Sequence, residues 1–233
     1  MDGRSGNSRA RRGWPVPPEH QCDNPCDPRD AHRYATRQPT RPSMTTDPRP
    51  HADRHIDIVA LCGSLRAQSY NAALLDAAAL VAPRGMRIAR FDRLGEFPLF
   101  NPDTEYPSPA VVRDLIDRVN AADGLLIASP EYAHGVTGVM KNALDWIVGC
   151  EAVVYKPVAV LNASPRATHA DAALRETLSM MSARIVEPAS ITLPILGSQL
   201  DAAGIAAHPP FASALADALH ALRAAIHEAE PGR

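Results

Sequence analysis

The residues in this sequence best suited to chemistry fall in three loops. The first is Gly63-Ser64-Leu65-Arg66-Ala67-Gln68-Ser69-Tyr70-Asn71. It supplies hydroxyls from Ser64 and Ser69, an amide from Asn71 and a guanidinium from Arg66, just ahead of a helix. Orphan N–H groups at a helix start, a positive dipole end and a planar cation are the parts of an anion site. The loop is neither a Walker motif nor a dinucleotide fingerprint, and it also reads as a capping Ser69 beside a solvated Arg66. The second loop, Ser129-Pro130-Glu131-Tyr132-Ala133-His134-Gly135, leads through Val136 and Thr137 into Gly138-Val139-Met140-Lys141-Asn142-Ala143-Leu144-Asp145-Trp146. Its glycines, proline and aromatic let backbone N–H groups approach a planar ligand closely. The third loop is Ala163-Ser164-Pro165-Arg166-Ala167-Thr168-His169. The first two together point to a flat, phosphorylated cofactor.

Each loop follows an apolar run that reads as a strand: Ile56 to Cys62, Gly124 to Ala128, and Pro157 to Asn162. Near-continuous apolar runs of this length mark strands buried on both faces. Between them the period changes to that of helices. Ser69 to Val81 carries Leu74, Leu75, Ala78 and Val81 on one stripe, with Pro83 and Gly85 beyond its end. Met86 to Phe91 is a short second strand. Residues 92–109 form a loop with four prolines; a long loop with that much apolar and aromatic content is usually packed against something, with a ligand or a neighbouring subunit as candidates. Helices follow at Ala110 to Asn120, at the end of the second loop, and from Ala170 to Ala183. A weaker fifth strand lies within Ile185 to Leu193, residues 194–208 are a loop, and a last helix spans Phe211 to Glu228. This alternation predicts an α/β fold with a doubly wound five-stranded parallel sheet, strand order 2-1-3-4-5, and helices on both faces. Right-handed crossovers then bring the three loops to one edge of the sheet, at the carboxyl ends of the strands, where such sheets take ligands.

The chain has 233 residues, 45% hydrophobic and 21% charged, which is ordinary globular composition. A net charge of -2 gives no electrostatic case for nucleic acid. No apolar run approaches the ~18 residues of a membrane helix, and no hydrophobic signal core opens the chain, so a cytoplasmic protein is expected. Residues 1–53 hold nine arginines, no lysine, seven acids and nine prolines. That composition buries too little apolar surface to offset its ordering entropy, so a disordered tail is expected, with one domain over residues 54–233. Met44 offers a second possible start. The four cysteines are scattered and form no disulfide framework. Cys22-x3-Cys26 lacks a second ligand pair at usable spacing, with only His20 and His32 nearby, so no metal is expected.

Taken as a set, Gly63-Ser64-Leu65-Arg66-x-x-Ser69-x-Asn71, Pro98-x-x-Asn101-Pro102-Asp103, and Ser129-Pro130-Glu131-Tyr132 through Gly138-x-x-Lys141-Asn142-Ala143-x-Asp145-Trp146 resemble the NAD(P)H-dependent FMN reductases. These are flavodoxin-like enzymes that include quinone, chromate and azo-dye reductases. The resemblance covers residues from about 55 to 193, with a compatible closing helix. Three departures fall on the loops: Ala133 where the family usually has Asn, Thr137 where it often has Pro, and Pro165-Arg166 where a Gly-Gly pair is common. The resemblance implies an FMN phosphate held by Ser64, Arg66, Ser69 and Asn71. It places the isoalloxazine ring against Pro130, Glu131, Tyr132, Ala133, His134 and Gly135, with Ser164 bordering the far edge. It implies ping-pong hydride transfer from NADPH or NADH to FMN and on to a quinone or similar acceptor, by a homodimer or homotetramer. The Phe97–Phe100 loop and Trp146 are the candidate contacts between subunits. Arg66 and Arg166 are both candidates for the 2′-phosphate of NADPH. The cofactor carries the chemistry, so no catalytic side chain is assigned. His134 reads as a hydrogen-bond donor to flavin or to solvent. Lys141 reads as one half of an ion pair. The alternatives are a flavodoxin-like electron carrier without nicotinamide turnover, against which the weak net charge argues, and a regulator that kept the fold but lost the cofactor.

Overall fold

The computed structural model describes residues 55–229. Its strands are β1 (Ile56–Cys62), β2 (Met86–Phe91), β3 (Gly124–Ala128), β4 (Glu131–Tyr132), β5 (Gly135–Val136), β6 (Pro157–Leu161) and β7 (Arg184–Ile185). Five of them form one parallel sheet in the order β2-β1-β3-β6-β7; β4 and β5 pair antiparallel as a separate hairpin. The register sets Ile58 beside Gly124, and Leu125 beside Val158.

The central strands are buried on both faces, and their side chains alternate between two cores. Ile56, Ile58, Ala60, Leu126, Ala128, Ala159 and Leu161 join one; Val59, Leu61, Leu125, Ile127, Val158 and Val160 join the other. The first core is completed by helices α1 (Tyr70–Leu80), α5 (Ala202–Ala207) and α6 (Pro209–Glu228), through Leu74, Leu75, Ile205, Leu219 and Leu222. Helices α2 (Ala110–Ala121), α3 (Gly138–Ile147) and α4 (Thr168–Met180) complete the second, through Leu115, Val119, Met140, Leu144 and Leu178. The edge strand β2 is closed to further pairing by charge, with Arg87 on Asp57 at 2.7 Å and Arg90 on Asp76 at 3.0 Å.

Five details differ from the sequence expectation. Residues 194–208 are not a simple loop: they contain α5, whose cap Asp201 accepts from Gly204 N at 2.7 Å. The last helix starts at Pro209 rather than Phe211, because proline at the first position lacks only an N–H that would go unbonded anyway. The fifth sheet strand is two residues long and starts at Arg184, with an isolated bridge from Asn162 to Thr192 continuing the edge. The hairpin β4–β5 carries no alternating pattern long enough to be read. Residues 92–109 pack within their own chain: Phe97 is buried and meets Phe91 edge-on, Phe100 meets Trp146 at 5.2 Å, and Trp146 Nε1 donates to Pro98 O at 2.8 Å. Phe97 and Trp146 are thus core residues rather than subunit contacts, while Leu99 and Tyr106 of the same loop stay exposed. Lys141 pairs with Asp145 one turn along α3. The expected tail, with Cys22 and Cys26, lies outside the described residues.

Candidate functional site

Loops after β1, β3 and β6 close on one cleft of about 310 Å³. The first loop reaches it with its backbone already committed. Gly63 N donates to Ala128 O at 2.8 Å, continuing the β1–β3 ladder by one residue. Thr137 Oγ1 donates to Gly63 O at 2.7 Å and accepts from Met140 N at 3.3 Å, so one buried hydroxyl caps α3 and ties the first loop to the second. Ser129 Oγ lies 3.3 Å from that hydroxyl. There is no room for a side chain at Gly63: a Cβ would stand 2.3 Å from Ser129 Oγ and 2.9 Å from Thr137 Oγ1.

Of the residues expected to bind, Ser64, Arg66, Ser69, Asn71, Pro130, Glu131, Tyr132 and Ser164 line this cleft. Ala133, His134 and Gly135 do not; they belong to the turn and second strand of the β4–β5 hairpin. Seven lining residues were not among those expected to bind: Gln68, Tyr70, Ser129, Asn162, Ala163, Ala167 and Leu196. Tyr70 Oη accepts from Gln199 N at 3.3 Å, which pulls the segment after β7 toward the first loop. Asn162 donates to Ala167 O and accepts from Ser164 N, and so shapes the third loop from inside. An asparagine ending an apolar strand was the available signal for that role.

The polar groups of the cleft fit a phosphorylated polyol. Ser69 caps α1, its Oγ accepting from Ala72 N at 3.3 Å. Asn71 is buried, and its Oδ1 has no hydrogen-bond partner among the described residues. A buried acceptor left unpaired costs about 1–3 kcal/mol, so a ligand hydroxyl here would remove that penalty. Ser64 Oγ accepts from Arg66 N at 3.4 Å, and Ser164 Oγ from Arg166 N at 3.2 Å. Arg66 and Arg166 both line the cleft, and neither is in an ion pair among the described residues. The alkyl and aromatic surfaces of Pro130, Tyr132 and Leu196 supply the flat, apolar part. These residues suit FMN: the cleft combines anion donors, a buried polyol acceptor and apolar walls.

Glu131 has a structural task. Its Oε2 accepts from Ala170 N at 2.9 Å in the first turn of α4. The Ala170 N–H, and after it that of His169, hold the Glu131 carboxyl below the usual carboxylate range despite its partial desolvation. His134 Nδ1 lies 3.4 Å from Glu131 Oε1, and its ring meets His169 edge-on at 4.5 Å. The hairpin is therefore docked on α4 by a carboxylate. Because the folded value is depressed, this docking contributes stability above the ordinary glutamate range, near ~4.3, and loses it as pH falls through the folded value. The melting temperature of Glu131→Gln is expected to lie below that of the wild type at pH 7. The gap should close under acid, below about pH 4, in thermal scans across pH. A gap that stays constant with pH would remove the charge from the explanation.

The turn of the hairpin is strained. Ala133 and His134 both take left-handed backbone, at φ 50° and 58°. Two left-handed residues make the tight turn that matches strand twist, for which Asn and Gly are favoured. An alanine there costs about 1–2 kcal/mol. Ala133→Asn should recover part of that cost and raise the melting temperature by roughly 2 °C, as read by calorimetry. A lower melting temperature would show that the turn is not strained.

Among the described residues, no helix is long and apolar enough to cross a membrane.

Comparison with known proteins agrees with this site. Residues 56–195 match the family model of NADPH-dependent FMN reductase. An NAD(P)H-dependent FMN reductase of Pseudomonas aeruginosa is 34% identical over 155 residues, covering 64% of this chain and 83% of the relative. An NAD(P)H:quinone oxidoreductase of Solanum tuberosum is 42% identical over 96 residues, 39% of this chain and about half (49%) of the relative's length. Among solved structures, the flavoenzyme NAD(P)H:(acceptor) oxidoreductase FerB of Paracoccus denitrificans superposes with a TM-score of 0.62 at 26% identity, covering 74% of this chain and 98% of that one. The matched span starts at β1 and stops after β7, so it takes in all three loops and, of the described helices and strands, leaves out α5 and α6. The chain belongs to the NADPH-dependent FMN reductase family.

Proposed function

We propose that this protein is a cytoplasmic NAD(P)H-dependent FMN reductase. It passes reducing equivalents from NAD(P)H through bound FMN to a quinone or similar small acceptor, in ping-pong fashion, on a doubly wound flavodoxin-like sheet. The observation that carries the reading is the meeting of three loops at one cleft that offers anion donors, an unpaired buried acceptor and apolar walls together.

In this reading Ser64, Arg66 and Ser69 hold the phosphate, with the N–H groups at the start of α1. Asn71 Oδ1 accepts from a hydroxyl of the polyol chain. Pro130 and Tyr132 pack against the ring, and Ser164 borders its far edge. FMN, when bound, supplies the hydride chemistry. Glu131, by docking the hairpin on α4 through its carboxylate, fixes the backbone that Pro130, Glu131 and Tyr132 would offer to the ring. No side chain is needed to move a proton at the reacting face, and His134, which is 76% exposed, is turned to Glu131 and His169. Leu99 and Tyr106, exposed beside α3, are the surface on which a homodimer or homotetramer would form.

The visible spectrum of the purified protein tests the reading. It should show a flavin band that persists through gel filtration, or returns on adding FMN. Steady-state oxidation of NADPH should then depend on benzoquinone with parallel double-reciprocal lines. A flavin band with negligible NADPH turnover would make the protein an electron carrier instead. Colourless protein that takes up no FMN would end both. The domain is residues 54–233, so removing residues 1–43 should leave turnover and melting temperature unchanged; a clear fall in either would place the tail in the fold.

A further inference from the structure

Two serine–arginine turns line the same cleft. Ser64-Leu65-Arg66 follows β1, Ser164-Pro165-Arg166 follows β6, and in both the serine oxygen accepts from the arginine's own backbone N–H. Elsewhere in the described residues, Arg87, Arg90, Arg93, Arg118, Arg175 and Arg184 are held by carboxylates, while Arg84, Arg113 and Arg223 have no carboxylate partner there but lie outside the cleft. The cleft thus carries two guanidiniums that no carboxylate neutralises. Its only acid, Glu131, is held by the first turn of α4. The FMN phosphate has a cradle of its own in the loop after β1, which leaves the guanidinium of the other loop for a second anion.

The structure separates the two arginines. The loop of Arg66 is a complete anion cradle, with the capped start of the 11-residue α1, Ser69, and Asn71 beside it. The loop of Arg166 is not. The N–H of Ala170 at the start of α4 is taken by Glu131, which leaves the Arg166 guanidinium as a charged donor with no carboxylate partner among the described residues. A cationic fork on an exposed loop distinguishes a ligand with an added phosphate from one without it.

We propose that Arg166 sets the preference for NADPH over NADH by engaging the 2′-phosphate, a phosphate monoester that NADH lacks, while Arg66 serves the FMN phosphate. This assignment rests on the reductase reading above and adds to it the choice of nicotinamide donor.

The test uses the full chain. In steady state with benzoquinone, Arg166→Ala should raise the KM for NADPH by about tenfold or more, as expected for loss of a charge-assisted contact. The KM for NADH should move far less, and the Kd for FMN should stay near the wild-type value. Arg166→Lys should keep part of the preference. Calorimetry gives a readout independent of turnover. Adenosine 2′,5′-bisphosphate should bind the wild type about tenfold more tightly than adenosine 5′-phosphate, and the two should bind Arg166→Ala alike. Three results overturn the proposal: no preference in the wild type, a preference that survives in Arg166→Ala, or one lost instead in Arg66→Ala. A parallel loss of FMN affinity in Arg166→Ala would also overturn it, by moving Arg166 to the flavin. Failure to bind FMN at all would sink the reductase reading alone, since the calorimetric comparison needs no flavin.

Discussion

Replacing Gly63 by alanine is expected to weaken FMN binding about tenfold or more and to lower the melting temperature by roughly 4–10 °C. The added Cβ would stand 2.3 Å from Ser129 Oγ, 2.8 Å from Ser129 Cβ and 2.9 Å from Thr137 Oγ1. None of these is the end of a long, flexible side chain. Ser129 and Thr137 are buried, and Thr137 is fixed by capping α3 and by bonding Gly63 O. The strain must therefore go into backbone. Overpacking of this kind costs about 1–3 kcal/mol, and a broken buried hydrogen bond adds about 1–3 more. The first and second loops would separate at the point where they are tied, and the cleft lies between them. Thr137→Val is the partner experiment: it keeps the volume, removes the hydroxyl and should lose stability without the clash. Thermal denaturation and FMN fluorescence titration read the two effects. An alanine variant that melts and binds like the wild type would show that the tie between the loops is loose.

Much of this was legible in the sequence, and the misses have physical causes. Strands β1, β3 and β6 read plainly because burial on both faces leaves them almost wholly apolar, Asp57 of β1 being the one charged position. The cleft read plainly because loops at the carboxyl edge of a parallel sheet are brought together by topology, whatever their own conformation. What the pattern could not carry was local backbone geometry. The β4–β5 hairpin has two residues per strand, too few for alternation to show, and its turn uses Ala133 and His134 where Asn-Gly would have announced it. Glu131 looked like a ligand-facing residue; only the position of α4 shows its carboxylate turned away to Ala170 N. Trp146 reads from the sequence as structural, with a subunit contact as its candidate role. Its burial depends on how residues 92–109 fold back, and that is decided by Asn142, whose Oδ1 accepts from Phe100 N and whose Nδ2 donates to Pro98 O. Thr137 proved to be the residue that joins two loops, a role its hydroxyl makes possible and a proline at the same position could not fill.

The largest effect on cofactor affinity is expected from Arg66→Ala, and the sharpest measure of it compares two flavins. If Arg66 holds the phosphate, its loss removes a charge-assisted contact of about 1.5–3 kcal/mol, so the Kd for FMN should rise roughly ten- to a hundredfold. Riboflavin has the same ring and polyol without the phosphate, so its affinity should scarcely change. The wild-type preference for FMN over riboflavin should therefore shrink by the same factor. Arg84 is the control, since it too is exposed and without an ion pair among the described residues, yet it does not line the cleft. Arg84→Ala should bind both flavins as the wild type does. The FMN affinity of the wild type should also fall with added salt, and that dependence should flatten in Arg66→Ala, because an exposed guanidinium acts through a screened field. Equal losses for FMN and riboflavin in Arg66→Ala would mean that the arginine supports the loop rather than the phosphate. In that event the anion would have to be carried by the start of α1 with Ser69, and Ser69→Ala would become the variant that separates the two flavins.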